Sequence, residues 1–223
     1  DGIKAVSDNI AHDLRTPLMR LRTRIEEGRG EEKDLLLAEL DHTLEIFRSL
    51  LRISGIEAGR QRLELRRFDL ASLLADAVAL YEPVAEAREI TVKLALAPCI
   101  VDADRDLLFQ AFANLIDNAL KFTPEGGDVH CTVNTEESDA VICVRDSGPG
   151  IPAAMRERVL QRFERLDSSR STPGNGLGLP LVAAIVKRHY GRLELGDGTS
   201  GKETPGLSVS LRLPLAAVRR DAA

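Results

Sequence analysis

The stretch NIAHDLRTPL, residues 9–18, sets an imidazole, a carboxylate and a hydroxyl close together on a helical pattern. His12 lies two residues from both Ile10 and Leu14. At about 100° per residue it points away from the apolar positions and toward solvent. Asp13 is its sequence neighbour beside the same surface, placed to take or orient a ring proton. Thr16 is one turn on, on the face of His12. Pro17 removes its own helical donor and crowds the carbonyl of Asp13, so the helix bends or loosens where the imidazole is displayed. The stretch reads as an exposed nucleophile with polar helpers; an exposed His beside an Asp is equally an ordinary surface pair.

Three further clusters carry chemistry. In RDLLFQAFANLIDNALKF, residues 105–122, Asn114, Asn118 and Lys121 run down one side at four- and three-residue spacing. Asparagine is an indifferent helix former. An amide oxygen is a hard, neutral ligand suited to Mg²⁺, and a lysine beside it can meet phosphate charge. A solvated helix face explains the same three residues. At DSGPGIP, Asp146 closes a β-rich run and Gly148 and Gly150 open a turn. Glycines let backbone come close to a flat or anionic ligand, and an aspartate at a strand end can accept from an exocyclic amine. Turn chemistry alone also accounts for DxGxG. Finally, Gly174, Gly176 and Gly178 lead into a helix expected to begin near Leu179, with Pro180 tolerated in its first turn. Backbone donors at such a start can hold a polyphosphate. This is neither a Walker A loop, since no GK[ST] follows, nor a GxGxxG after a first strand.

These residues need elements to position them. Ile3, Val6, Ile10, Leu14, Leu18, Leu21 and Ile25 recur at three- and four-residue steps, close to a heptad seam. EGRGEE breaks the pattern, which resumes through Leu37, Leu40, Leu44, Phe47 and Leu51 and ends at SGIEAG. A helical hairpin follows, and two such stripes are covered by a second copy, which predicts a homodimeric four-helix bundle. Beyond Arg62, strand-like and helix-like segments alternate. RFDLASLLADAVALY predicts an amphipathic helix capped by Asp69, and EITVKLAL a strand. Asp104 caps the next helix, whose apolar face is Leu107, Leu108, Ala111, Phe112, Leu115 and Ala119. The expected division is a hairpin over 1–61, an α/β domain over 62–215 and a tail over 216–223.

With 223 residues, 43% of them hydrophobic, the chain can bury a sizeable core. Its 30 basic and 35 acidic residues leave a net charge of −5, which offers no general attraction to nucleic acid. Cys99, Cys131 and Cys143 are odd in number and outside any CxxC spacing, so they read as small core residues in a reducing compartment. No run of about 18 apolar residues and no signal segment is present.

In this order, AHDLRTPL, NLIDNALKF, DSGPGIP, RF before a polar loop and GNGLGLPLV resemble the cytoplasmic core of sensor histidine kinases, from about residue 5 to residue 213. The resemblance implies a dimerisation and histidine-phosphotransfer hairpin joined to an ATP-binding two-layer α/β sandwich, a mixed sheet packed on helices. It implies His12 as phosphoacceptor, Asp13 as its proton acceptor, and Thr16 as the position that orients water when a partner is dephosphorylated. Asn114, Asn118 and Lys121 match the N-box, with Asn118 the Mg²⁺ ligand. Asp146, Gly148 and Gly150 match the first glycine box, Asp146 reading adenine. Phe163 matches the F-box phenylalanine, and Gly174, Gly176, Leu177 and Gly178 the second glycine box. Arg165 or Arg170 would add charge from the loop.

The partner implied is a response-regulator receiver domain, whose acidic pocket Arg15, Arg20, Arg22 and Arg24 could attract; a solvated charged face fits those arginines as well. The location implied is cytoplasmic, as part of an inner-membrane sensor. Because the chain begins inside a helical pattern, a membrane-crossing part is expected to precede it. Two positions depart from the family pattern. KRHYGR stands in place of the usual HGG, so His189 is expected to be structural, and Asp117 stands where many relatives carry a second amide.

Overall fold

The computed structural model describes residues 31–59, 62–164, 175–198 and 205–215, together with Thr23 and Ile25. By its contacts the chain divides into two compact units, residues 1–61 and 62–223. In the first, helix α1 spans Glu31–Glu57. It begins where the EGRG stretch ends and continues through Ser54–Glu57, past the point at which the apolar rhythm stops. Gly59 then takes a φ of 64°, the left-handed conformation with which helices commonly end and which glycine adopts without a Cβ clash. Leu40, Leu44, Ile53 and Ile56 are buried. Thr23 and Ile25 are helical, while the rest of the first predicted helix, and with it the four-helix bundle, lies outside the described residues.

The second unit opens with β1 (Leu65–Asp69), which pairs antiparallel with β3 (Ile100–Asp104). Both strands run straight into helices, and each ends on the aspartate that caps the helix. Asp69 Oδ1 accepts from the Ala71 N–H at 3.1 Å and from the Cys99 N–H at 2.8 Å. One carboxylate therefore caps α2 (Leu70–Ala79) and anchors the segment before β3. Asp104 accepts from the N–H of Leu107 at 3.1 Å, which caps α4 (Arg105–Phe122), and from that of Glu64 at 3.1 Å.

The helix expected to run through Tyr81 stops at Ala79. Leu80 and Tyr81 turn the chain, and Pro83 stands in the first turn of the short α3 (Glu82–Ala87), where no intrahelical donor is missed. Arg88, just beyond α3, donates to the carbonyls of Leu120 and Thr123. It places a cation on the carbonyl end of α4.

The main sheet has the order β2-β4-β5-β7-β6, with β2 (Thr91–Leu96), β4 (Asp128–Glu136), β5 (Asp139–Asp146), β6 (Arg192–Asp197) and β7 (Leu207–Pro214). β2 is parallel to β4 and the other pairs are antiparallel. Alternation along the strands sets Val129, Cys131, Val133, Ile142, Val144, Val209 and Leu211 on one face, all buried. The buried stripes of α2, α4 and α5 (Gly178–Arg188) supply the matching apolar surface. Leu108, Phe112, Leu115, Ile116, Val182 and Ile185 are almost wholly withdrawn from water, each contributing about 1.5–3 kcal/mol of hydrophobic burial. The three cysteines are free and buried.

His189, expected to be structural, is 2% exposed and engages both ring nitrogens. Nε2 accepts from the Asp104 N–H at 3.1 Å, and Nδ1–H donates to the Ile185 carbonyl at 2.8 Å. A neutral ring in one tautomer satisfies both bonds. The end of α5 is thereby fastened to the start of α4, so the two helices run antiparallel.

Candidate functional site

Helix α4 is the wall on which the site is built. Its apolar residues turn into the core, which leaves Asn114 and Asn118 half-buried at one edge and Lys121 exposed near its end. Asn114 Nδ2 donates to the Gln110 carbonyl at 2.9 Å, fixing the amide. Gly178, the first residue of α5, comes down on this edge. A Cβ there would stand 3.0 Å from Asn118 Nδ2 and 3.4 Å from Asn114 Oδ1. The helix begins at Gly178, one residue before the expected start. Its N-cap is Leu177, whose side chain makes no capping hydrogen bond. The first-turn donors of α5 thus open beside the two asparagines, with the positive end of the helix dipole behind them.

A turn further along α4, the glycine segment that follows Asp146 makes its own contact. A Cβ on Gly148 would meet the Phe122 carbonyl oxygen at 2.6 Å, so only glycine lets the segment after β5 lie against the end of α4. Asp146, the last residue of β5, is 5% exposed and sits on the core face of the strand, opposite Val129. Its Oδ1 accepts from the N–H groups of Gly148 at 2.9 Å and Leu207 at 3.1 Å. Burial raises its carboxyl above the ordinary value of 3.8, and these two backbone bonds oppose the rise. Gly150 has a φ of 73°.

Lys121 is found in an ion pair, its Nζ 2.5 Å from Asp117 Oδ2, with the two side chains 40% and 35% exposed. Burial first, and the Asp117 charge second, raise the Tyr81 hydroxyl above its ordinary value. The carboxylate standing in place of an amide is thus paired with Lys121. Phe163 is 54% exposed at a φ of 66°, and its N–H donates to the Gly176 carbonyl at 3.2 Å. Gly176 is likewise left-handed, at φ 65°, so the F-box position and the second glycine box are joined through backbone.

The structure therefore brings Asn114, Asn118 and Gly178 together in the C-terminal half of α4, and sets the segment of Asp146, Gly148 and Gly150 one turn on, against Phe122 at the end of the helix, with Lys121 next to Phe122. His12, Asp13, Thr16, Arg165, Arg170 and Gly174 lie outside the described residues. Sequence reasoning missed Gly198, Gly206 and Leu207, which pack on Asp146 from the β6–β7 connection; turn glycines before β7 were the only signal, and they name no partner. Thr123 was also missed. It is 1% exposed, and its Oγ1 is the one buried side-chain polar atom without a hydrogen-bond partner among the described residues.

Residues 103–217 match the family described as Histidine kinase-, DNA gyrase B-, and HSP90-like ATPase. The sensor protein kinase PmrB of Pseudomonas aeruginosa is 34% identical over 225 residues, covering 95% of this chain and 45% of that protein. The sensor histidine kinase TmoS of Ectopseudomonas mendocina is 31% identical, covering 92% of this chain and 22% of that protein. Among solved structures, the mycobacterial sensor histidine kinase MprB superposes with a TM-score of 0.61 at 30% identity, over 68% of this chain and 98% of that one. Full-length ShkA in complex with AMPPNP superposes with a TM-score of 0.77 at 26% identity, over 95% of this chain and 46% of that one. The chain belongs to the histidine kinase-, DNA gyrase B- and HSP90-like ATPase family, and within it to the sensor histidine kinases. It spans less than half the length of the two curated relatives named. No helix among the described residues is long and apolar enough to cross a membrane.

Proposed function

We propose that the chain is an ATP-dependent protein histidine kinase core that phosphorylates its own His12 and passes the phosphoryl group to an aspartate of a response-regulator receiver domain. The observation that carries this reading is the double use of α4, with Asn118 against the opening of α5 and, a turn on, Phe122 against the segment that follows Asp146. One rigid helix then spans from a base-reading carboxylate to a set of phosphate donors.

The residues present fit the ligands. Asn118 offers a neutral amide oxygen for Mg²⁺, the first-turn N–H groups of α5 offer donors for polyphosphate, and Gly178 leaves no side chain in the way. Mg²⁺, when bound, neutralises charge on the phosphates. Asp146 accepts from the exocyclic amine of adenine, and Lys121, released from Asp117, reaches phosphate. A neutral His12 nitrogen attacks the γ-phosphorus as the bond to the ADP oxygen breaks, and the ring proton passes to Asp13. Thr16 orients water when the same core hydrolyses its partner's aspartyl phosphate.

In this reading residues 1–61 form the dimerising hairpin, completed to four helices by a second copy. Residues 62–215 form the catalytic domain, and the whole is the cytoplasmic portion of a membrane sensor. Incubation with γ-labelled ATP and Mg²⁺ tests it. Acid-labile, alkali-stable label on protein supports the kinase; free phosphate alone would make the chain an ATPase, and neither product would make it a phosphotransfer scaffold.

A further inference from the structure

The β6–β7 connection contacts Asp146 in a way that the proposed mechanism has not used. The Leu207 N–H donates to Asp146 Oδ1, the same oxygen that receives the Gly148 N–H. Gly206 sits beneath at φ 62°, and a Cβ on it would lie 2.0 Å from the Asp146 carbonyl oxygen. The Gly206 N–H donates to the Gly148 carbonyl at 3.0 Å. A Cβ on Gly150 would lie 2.4 Å from the Gly206 carbonyl oxygen. From the other end of the connection, a Cβ on Gly198 would stand 2.5 Å from the Asp146 carbonyl oxygen. Backbone thus lies on backbone across some sixty residues of sequence, at a distance that no side chain allows.

We propose that Gly206 and Leu207 are positioning residues for base recognition: Gly206, packed on the Asp146 backbone, lets the Leu207 N–H hold Asp146 Oδ1, which aims Oδ2 at the exocyclic amine of the nucleobase. This rests on the reading of Asp146 as the adenine acceptor. A carboxylate presents two equivalent oxygens and turns about its Cβ–Cγ bond. With Oδ1 held by two backbone donors from separate segments, that rotation is stopped and a single acceptor is left for ligand. An acceptor fixed before the ligand arrives needs no ordering when it binds, and discrimination between an amine and its absence follows.

The test compares ATP with purine riboside 5′-triphosphate, which lacks the 6-amino group, by titration against the wild-type chain and against Gly206→Ala, Asp146→Asn and Gly196→Ala. A Cβ on Gly196 would meet nothing closer than Ser208 Cβ at 3.9 Å, so that variant controls for the loss of a glycine in the same hairpin. The wild type and Gly196→Ala should prefer ATP by about tenfold or more, the worth of one charge-assisted hydrogen bond. Gly206→Ala should lose most of that preference while its affinity for the purine analogue changes less than about twofold.

Equal weakening toward both nucleotides, or an unchanged preference, would overturn the positioning role. Should Asp146→Asn keep the ATP preference, the adenine reading itself fails. If Asp146→Asn loses it and a folded Gly206→Ala does not, only the present proposal fails. A measurement on the wild-type protein covers the case in which Gly206→Ala does not fold. The amide protons of Gly148 and Leu207, followed by NMR, should shift together as the Asp146 carboxyl titrates, and a Leu207 amide that ignores that titration contradicts the proposal.

Discussion

Asp146, whose following segment packs on Phe122, and Lys121, the neighbour of Phe122 on α4, belong to the same stretch of wall and are held in different ways. Asp146 is 5% exposed and fixed by backbone N–H groups from two segments. Lys121 is 40% exposed, on a long flexible stem, and paired with a carboxylate one turn back on its own helix. In the proposed reading the base contact, Asp146, is fixed before any ligand arrives, with its geometry set by glycines that bring backbone into contact. The proposed phosphate contacts are a row of side chains in which Lys121 must leave Asp117. A flat, rigid base is recognised best by an acceptor already held in place, whereas a polyphosphate that changes charge during the reaction is better met by groups that can move.

Replacing the buried carboxylate tests this comparison most severely. Asp146→Asn keeps an acceptor for Gly148 and Leu207 but loses the charge, and ATP affinity should fall about tenfold to a hundredfold, measured by calorimetry. Stability should move the other way. Because burial raises the Asp146 carboxyl above 3.8, the native state holds that proton more tightly than the unfolded chain. The stabilisation it contributes is therefore full below pH 3.8 and is lost as pH rises through the raised value. Across that window the Tm of Asp146→Asn should rise relative to that of the wild type, and above it stay higher. A Tm difference that does not change with pH would mean that the carboxylate is not strained by its burial.

His189 sharpens the comparison from the far side of the domain. It fastens the end of α5 to the start of α4, and the other end of α5 is Gly178 beside Asn118. His189→Ala leaves the Asp104 N–H buried without its partner, so denaturant unfolding should register a loss of about 1–3 kcal/mol. The affinity for triphosphate should fall with it, while the preference for ATP over purine riboside 5′-triphosphate stays intact, since Asp146 is held from β7 and its own loop. A changed preference would show that the two contacts are not independent.

The smallest effect belongs to the ion pair. Pairs four residues apart on a helix contribute about 0.3–0.5 kcal/mol, so freeing Lys121 with Asp117→Asn should tighten ATP by about twofold or less. The gain should shrink as salt is added. Weaker binding would mean that Asp117 takes part in holding the nucleotide and does more than compete for the lysine.

What the sequence disclosed follows the range over which its signals act. Asp69 and Asp104 were legible as caps because a cap and its helix are neighbours in the chain. The Asn114, Asn118 and Lys121 row was legible because helical spacing places residues on a face. The Asp117–Lys121 pair has the same four-residue spacing, so the resting partner of the lysine is legible there too, although the motif directs attention only to phosphate. The break at Leu80 and Tyr81 was hidden because the apolar rhythm runs up to it without a glycine or proline inside. Leu207 and Gly206 could not be linked to Asp146 at all, since no periodicity connects a strand end to a turn some sixty residues later. Only the pairing of β5 with β7 brings them together.

The central claim is that the γ-phosphoryl group of ATP moves to His12. The wild-type chain and His12→Gln should be incubated with γ-labelled ATP and Mg²⁺, with protein-bound label counted after acid and after alkali and ATP affinity measured in parallel. The account predicts alkali-stable, acid-labile label on the wild type, none on His12→Gln, and ATP affinities within about twofold of each other, since the proposed function puts acceptor and nucleotide sites on different domains. Comparable label on His12→Gln would contradict it.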